Sequence, residues 1–132
     1  MSVFHRFVMM AVPLVPLMAC SDDCGNRIVS RIDAPGGARS AVLFQRDCGA
    51  TTGFSTQVSI LSGGQAPAGR GNAFIADADH GAARRGAWGG PWAEIRWLRA
   101  DHLEVRYAPG SRIFLKRETV SGVRVSYRPA NE

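Results

Sequence analysis

Past Cys24 the chain alternates between apolar and polar positions. Ala93, Ile95 and Trp97 interleave with Glu94 and Arg96, and beyond Ala100-Asp101 the residues Leu103, Val105 and Tyr107 interleave with Glu104 and Arg106. Val123, Val125 and Tyr127 alternate with Arg124, Ser126 and Arg128, and Ile113 and Leu115 give a shorter stretch of the same kind. A period of two, with one apolar and one charged face, marks a strand packed on a core with its far side in water. Upstream, Phe54, Thr56, Val58 and Ile60 share one face of a strand predicted over Phe54–Leu61, with Ser55, Gln57 and Ser59 on the other. Arg27–Asp33 and Arg39–Asp47 flank Ala34-Pro35-Gly36-Gly37-Ala38, whose proline and adjacent glycines predict a hairpin turn. Asn72–Asp77 is a shorter strand, and Ser62–Gly71 and Ala78–Pro91 read as surface loops. The expected fold is all-β, a small antiparallel sandwich or curled meander of about seven to eight strands. It would occupy residues 26–132 as one domain, which suits a chain of this length.

The first 19 residues break the pattern. His5 and Arg6 form a weakly basic head, and Phe7 to Ala19 is uncharged, with Pro13 and Pro16 interrupting regular helix. The run is short of the roughly 20 apolar residues that a membrane-spanning helix needs, and Ser21-Asp22-Asp23 follows at once. It reads as an export signal. Its last four residues, Leu17-Met18-Ala19-Cys20, resemble the lipobox of bacterial lipoproteins. That resemblance implies cleavage before Cys20, acylation of Cys20, and a lipidated tether over residues 20–25. The expected partner is therefore a membrane, reached through the lipid anchor, with the domain in the bacterial cell envelope facing the periplasm. Ser21 in place of Asp resembles the sorting pattern that favours the outer over the inner membrane.

Three cysteines are an odd number for an exported chain. With Cys20 acylated, Cys24 and Cys48 remain, and an oxidising compartment favours a disulfide between them. Closing a loop of about 25 residues would contribute roughly 3.5 kcal/mol on the chain-entropy account. Redox or metal chemistry would want a Cys-x-x-Cys or a tight His/Cys cluster, and neither is present in the sequence. The formal charge of +5 falls by one when Arg6 leaves with the signal. All basic residues but Lys116 are arginine, and export rather than charge removes nucleic acid as a partner.

Cys48-Gly49-Ala50-Thr51-Thr52-Gly53-Phe54-Ser55-Thr56-Gln57-Val58-Ser59, the later Gly71-Asn72-Ala73-Phe74-Ile75-Ala76, and Trp97, Asp101, Leu103, Val105 and Tyr107 form a recognisable series. It resembles an uncharacterised family of small bacterial periplasmic and lipoprotein domains. In that family a Cys-Gly-Ala-Thr stretch enters a strand, a Gly-Asn segment opens the next, and a Trp strand and a Tyr strand form a later hairpin. Relatives tend towards Ser-Pro-Asp-Gly at the first hairpin, where this chain has Ala34-Pro35-Gly36-Gly37. The resemblance implies the fold and the compartment but no activity.

Candidate chemistry is sparse. Thr51 and Thr52, bracketed by Gly49 and Gly53, make either a fixed corner between strands or a nest of amides and hydroxyls for an anion or a sugar. Arg96 and Arg106, with Arg124 and Arg128, would share a solvent face with Glu94 and Glu104, either as cross-strand ion pairs or as an attractor for acidic polymers. Asp77-Ala78-Asp79-His80 lacks the further spaced ligands of a calcium loop and reads as a solvated strand end. His102 beside Asp101 has no nucleophile assignable from spacing. Trp97 belongs in the core, Trp92 is expected to pack, and Trp88 sits in a glycine-rich loop either as part of a lid or as exposed aromatic surface. No catalytic residue, metal or cofactor is expected. The expected function is a non-enzymatic, lipid-anchored envelope module, structural or interacting with an envelope protein. The alternative is a periplasmic domain that binds an anionic envelope component, whether lipid headgroup, wall polymer or sugar.

Overall fold

A computed structural model describes Pro13, residues 24–49 and residues 52–131. The rest of the export signal, Cys20 and Thr51 lie outside the described residues. Among the described residues nine strands form: β1 (Gly25–Asp33), β2 (Arg39–Asp47), β3 (Ser55–Ser62), β4 (Phe74–Asp77), β5 (Ala93–Arg99), β6 (His102–Tyr107), β7 (Arg112–Lys116), β8 (Thr119–Val120) and β9 (Val123–Pro129). They make two sheets, a five-stranded one in the order β1-β2-β3-β4-β7 and a four-stranded one in the order β5-β6-β9-β8. The all-β sandwich is as the alternation predicts. β8, two residues long, is too short to leave a periodic trace.

The strands are not all antiparallel, which corrects the expected antiparallel domain. β6 and β9 run parallel, with Leu103 opposite Val125 and Val105 opposite Tyr127. Parallel neighbours need a long crossover, and here residues 108–122 supply it by visiting the other sheet as β7 before returning as β8. The tether expected at residues 20–25 is also cut short. Cys24 is disulfide-bonded to Cys48, and Gly25 already pairs with Asp47.

The core lies between the sheets. Ala41, Leu43, Val58, Ile60 and Phe74 meet Ile95, Leu103, Val105, Val123 and Val125 there, each buried, as the alternation requires of one face. Trp97 packs on the edge of this core, and its indole Nε1 donates to the Ile32 carbonyl at 2.8 Å, tying the end of β5 to the end of β1.

The other face of the first sheet is where the period-two reading falls short. Val42 and Phe44 on β2 are fully buried, and Gln57 and Ser59 on β3 are only 4% and 2% exposed. Ser62–Gly71, expected as a surface loop, and Asn72, expected to open the next strand, fold across this face. Asn26 donates to the carbonyls of Pro67 and Gly69, Gln57 accepts from the Gly71 amide at 2.7 Å, and Ser59 Oγ accepts from the Asn72 amide. The Asn72 side chain then accepts from Ile60 N and donates to Ile60 O, both at 2.8 Å, so an amide side chain stands in for a neighbouring strand. The buried polar residues on this face are thus hydrogen-bonded rather than solvated.

Candidate functional site

Residues 63–73 lie over β2 and β3, while at one end of the same sheet a cleft of about 600 Å³ opens. It sits where β2 ends, β3 begins, β4 ends and β7 begins, beside Cys48. Arg46, Thr52, Phe54, Asp77, Asp79 and His80 line it, together with Arg85, Arg112 and Phe114.

Phe54 and Phe114 are 41% and 56% exposed, and each ring is held from one side. Phe54 rests on Gly89, whose φ of 89° suits glycine and whose missing side chain leaves the space, since a Cβ there would come within 2.5 Å of the ring. Phe114 has the Arg112 guanidinium 5.2 Å over its ring. Gly89 belongs to the glycine-rich segment 86–91, which folds back over the end of the sandwich. Trp88 Nε1 donates to Thr56 Oγ1 at 2.8 Å, and that hydroxyl donates to the Pro91 carbonyl at 2.6 Å. Gln45 donates to the Trp88 carbonyl. Trp88 is therefore packed against the main core. Trp92 packs instead on a small cluster of Ala78, Ala83 and Ala108, with the guanidiniums of Arg84 and Arg106 at 4.6 and 5.8 Å from its ring.

The polar rim is of mixed sign. Asp77 is gripped by Arg112, with Nε to Oδ1 at 3.1 Å and a terminal nitrogen to Oδ2 at 2.5 Å, and it also accepts from the Asp79 amide at 2.9 Å. Burial would raise the Asp77 carboxyl, but the Arg112 hydrogen bond, the Asp79 amide and the charges of Arg112 and His80 outweigh it and hold the group below the ordinary carboxylate range. The Asp77 hydrogen bond, outweighing a smaller desolvation effect, raises Arg112 in turn. Asp79 is only loosely approached by Arg112, at 3.9 Å. Arg46 reaches Asn26 Oδ1 at 2.7 Å. Arg85 is exposed, and its guanidinium has no hydrogen bond or ion pair among the described residues.

The glycine–threonine corner borders this cleft through Thr52 and Gly53, while Thr51 lies outside the described residues. Thr52 caps its own turn, its amide and hydroxyl both 3.3 Å from the Gly49 carbonyl, and the Gly49 amide donates to Asp47. Its hydrogen bonding is local, as a fixed corner requires.

Arg96 and Arg106 are elsewhere, on the outer face of the second sheet. Arg96 and Arg128 both reach Glu104 Oε1, at 3.4 and 3.6 Å, and Arg106 reaches Glu94 at 3.2 Å. Arg96 faces Glu104, and Arg106 faces Glu94, in the β5–β6 register, so the charges cancel across the strands. Only a dimple of about 50 Å³ lies among them.

Two arrangements could not be found by spacing. His102 Nε2 lies 2.9 Å from Ser126 Oγ, because the parallel β6–β9 pairing brings their strands together. Among the described residues no carboxylate holds the other imidazole nitrogen, so the pair lacks the orienting third group of a hydrolytic triad. Also among the described residues, no three His, Cys, Asp or Glu side chains are grouped to hold a metal ion. The cleft itself draws on four separate segments. Phe54, expected inside the strand on its apolar face, instead precedes β3 and is 41% exposed at the cleft.

Compared with protein-family models, curated proteins and solved structures, the chain has no match, so the resemblance of its Cys-Gly-Ala-Thr stretch stands on those residues alone.

Proposed function

We propose that the chain is a lipid-anchored, non-catalytic binding module of the bacterial cell envelope, held through Cys20 on the outer rather than the inner membrane. The carrying observation is the Cys24–Cys48 disulfide, which takes two of the three thiols and leaves Cys20 as the odd one, at the end of a lipobox-like segment. A disulfide also suits an oxidising compartment. The binding surface in this reading is the cleft. It is a concavity of about 600 Å³ that offers half-exposed rings and, in Arg85, a guanidinium unpaired among the described residues. The face carrying Arg96 and Arg106 is a poorer choice for an anionic ligand, because its guanidiniums already have carboxylates.

Metabolic labelling with palmitate tests the anchor. Label should enter the wild-type chain and be absent from Cys20→Ala, and incorporation into both, or into neither, would remove Cys20 as the attachment point.

A further inference from the structure

We propose that the cleft seats the zwitterionic phosphoethanolamine headgroup of a lipid in the leaflet that holds the anchor. This rests on the lipid-anchored reading above, and three observations carry it further.

The first is distance. Residues 20–23 are all that separate the acylated sulfur from Cys24, and four residues reach no more than about 14 Å when fully extended. Cys24 is locked to Cys48, and Cys48 lines the cleft. The tether therefore ends on the rim of the cleft, and that pole of the sandwich is held against the headgroup layer. A ligand met there is a headgroup before it is anything else.

The second is charge. Among the described residues, the rim offers one available cation, the exposed Arg85, and one loosely held anion, Asp79, whose side chain is 46% exposed and comes no closer than 3.9 Å to the Arg112 guanidinium. Asp77 and Arg112 are spent on each other. A purely anionic group would face Asp77 and Asp79, and a purely cationic one would face Arg46, Arg85 and Arg112. A phosphate joined to a primary ammonium meets both signs at once, its phosphate on Arg85 and its N–H donors on Asp79. His80, beside Asp79, faces the same space.

The third is the apolar part of the lining. Phe54 and Phe114 present half-exposed rings, and Ile75 of β4 lines the same space. Glycerol and the first methylenes of acyl chains would cover these rings, which water otherwise touches.

The acylated full chain in detergent micelles is titrated with glycerophosphoethanolamine, with inorganic phosphate as the comparison, and followed by the amide resonances of Phe54, Arg85 and Gly89. Saturable shifts are expected with glycerophosphoethanolamine and not with phosphate at equal concentration. Arg85→Gln and Asp79→Asn should each weaken binding about tenfold, and asparagine keeps the left-handed backbone that Asp79 adopts at φ 47°. In a second arm, the protein is placed in phosphatidylcholine nanodiscs doped with photoactivatable phosphatidylethanolamine, and crosslinks should fall on residues 52–55 and 79–85. Tighter binding by Asp79→Asn, or equal binding of phosphate, would make the cleft a plain anion site and overturn the proposal. So would binding in micelles with crosslinks confined to the Arg96–Arg106 face. The same titration on Cys20→Ala, which lacks the acylation site, should give the same shifts, so a failed palmitate experiment and a failed headgroup experiment can be told apart.

Discussion

Asp77 joins two distant parts of the chain with one carboxylate. It accepts from the Asp79 amide two residues on and from Arg112 thirty-five residues on. The group titrates below its ordinary range when folded, so its contribution to stability is complete above the unfolded value near 3.8 and is lost as pH falls through the lower folded value. The melting temperature should therefore drop as pH is taken from about 5 to about 3, and Asp77→Asn should flatten that part of the profile. A pH-melting series on the two proteins checks this, and equal slopes would show that the ion pair does not couple to folding. In the sequence, Asp77-Ala78-Asp79-His80 is visible only as a charged strand end. Its partner comes from β7, and nothing in local spacing says that β7 lies beside β4.

At the scale of elements, alternation revealed which face of each strand is apolar, because burial on one side imposes a period of two. It could not reveal neighbours, since Leu103, Val105 and Tyr107 look the same whether β9 runs with them or against them. Nor could it reveal that β2 and β3 are covered on both faces. Gln57 and Ser59 are polar, as solvent-facing residues would be, yet they are polar because residues 71 and 72 need partners. Asn72 is the residue on which that cover turns. Asn72→Ala would leave the Ile60 amide and carbonyl without their partner, at a cost of about 2 kcal/mol. Urea denaturation should show the loss, and amide exchange at Ile60 should quicken; an unchanged midpoint would mean that water takes the place of the side chain.

For the molecule as a whole, the disulfide was legible by counting and the cleft was not. Cys24 and Cys48 were the pair left after Cys20, whereas Arg85, Asp79 and Phe114 become neighbours only once four segments converge. The bond closes a loop across the first hairpin, with the cysteines 24 positions apart. Reduction should cost roughly 3.5 kcal/mol by restoring freedom to the unfolded chain, without unpairing β1 from β2. Denaturation with and without reductant measures this, and thiol titration of the oxidised mature protein should find no free sulfhydryl.

The parallel run of β9 beside β6 also sets the pole at which the described chain leaves the second sheet. Ala130 bonds to the Tyr107 carbonyl, so the polypeptide leaves the second sheet at the pole where Cys24 enters the first. An affinity tag appended after the last residue would crowd the same pole as the cleft. An epitope placed in the Gly36-Gly37 or Ser121-Gly122 turn would stand at the far pole and leave it clear.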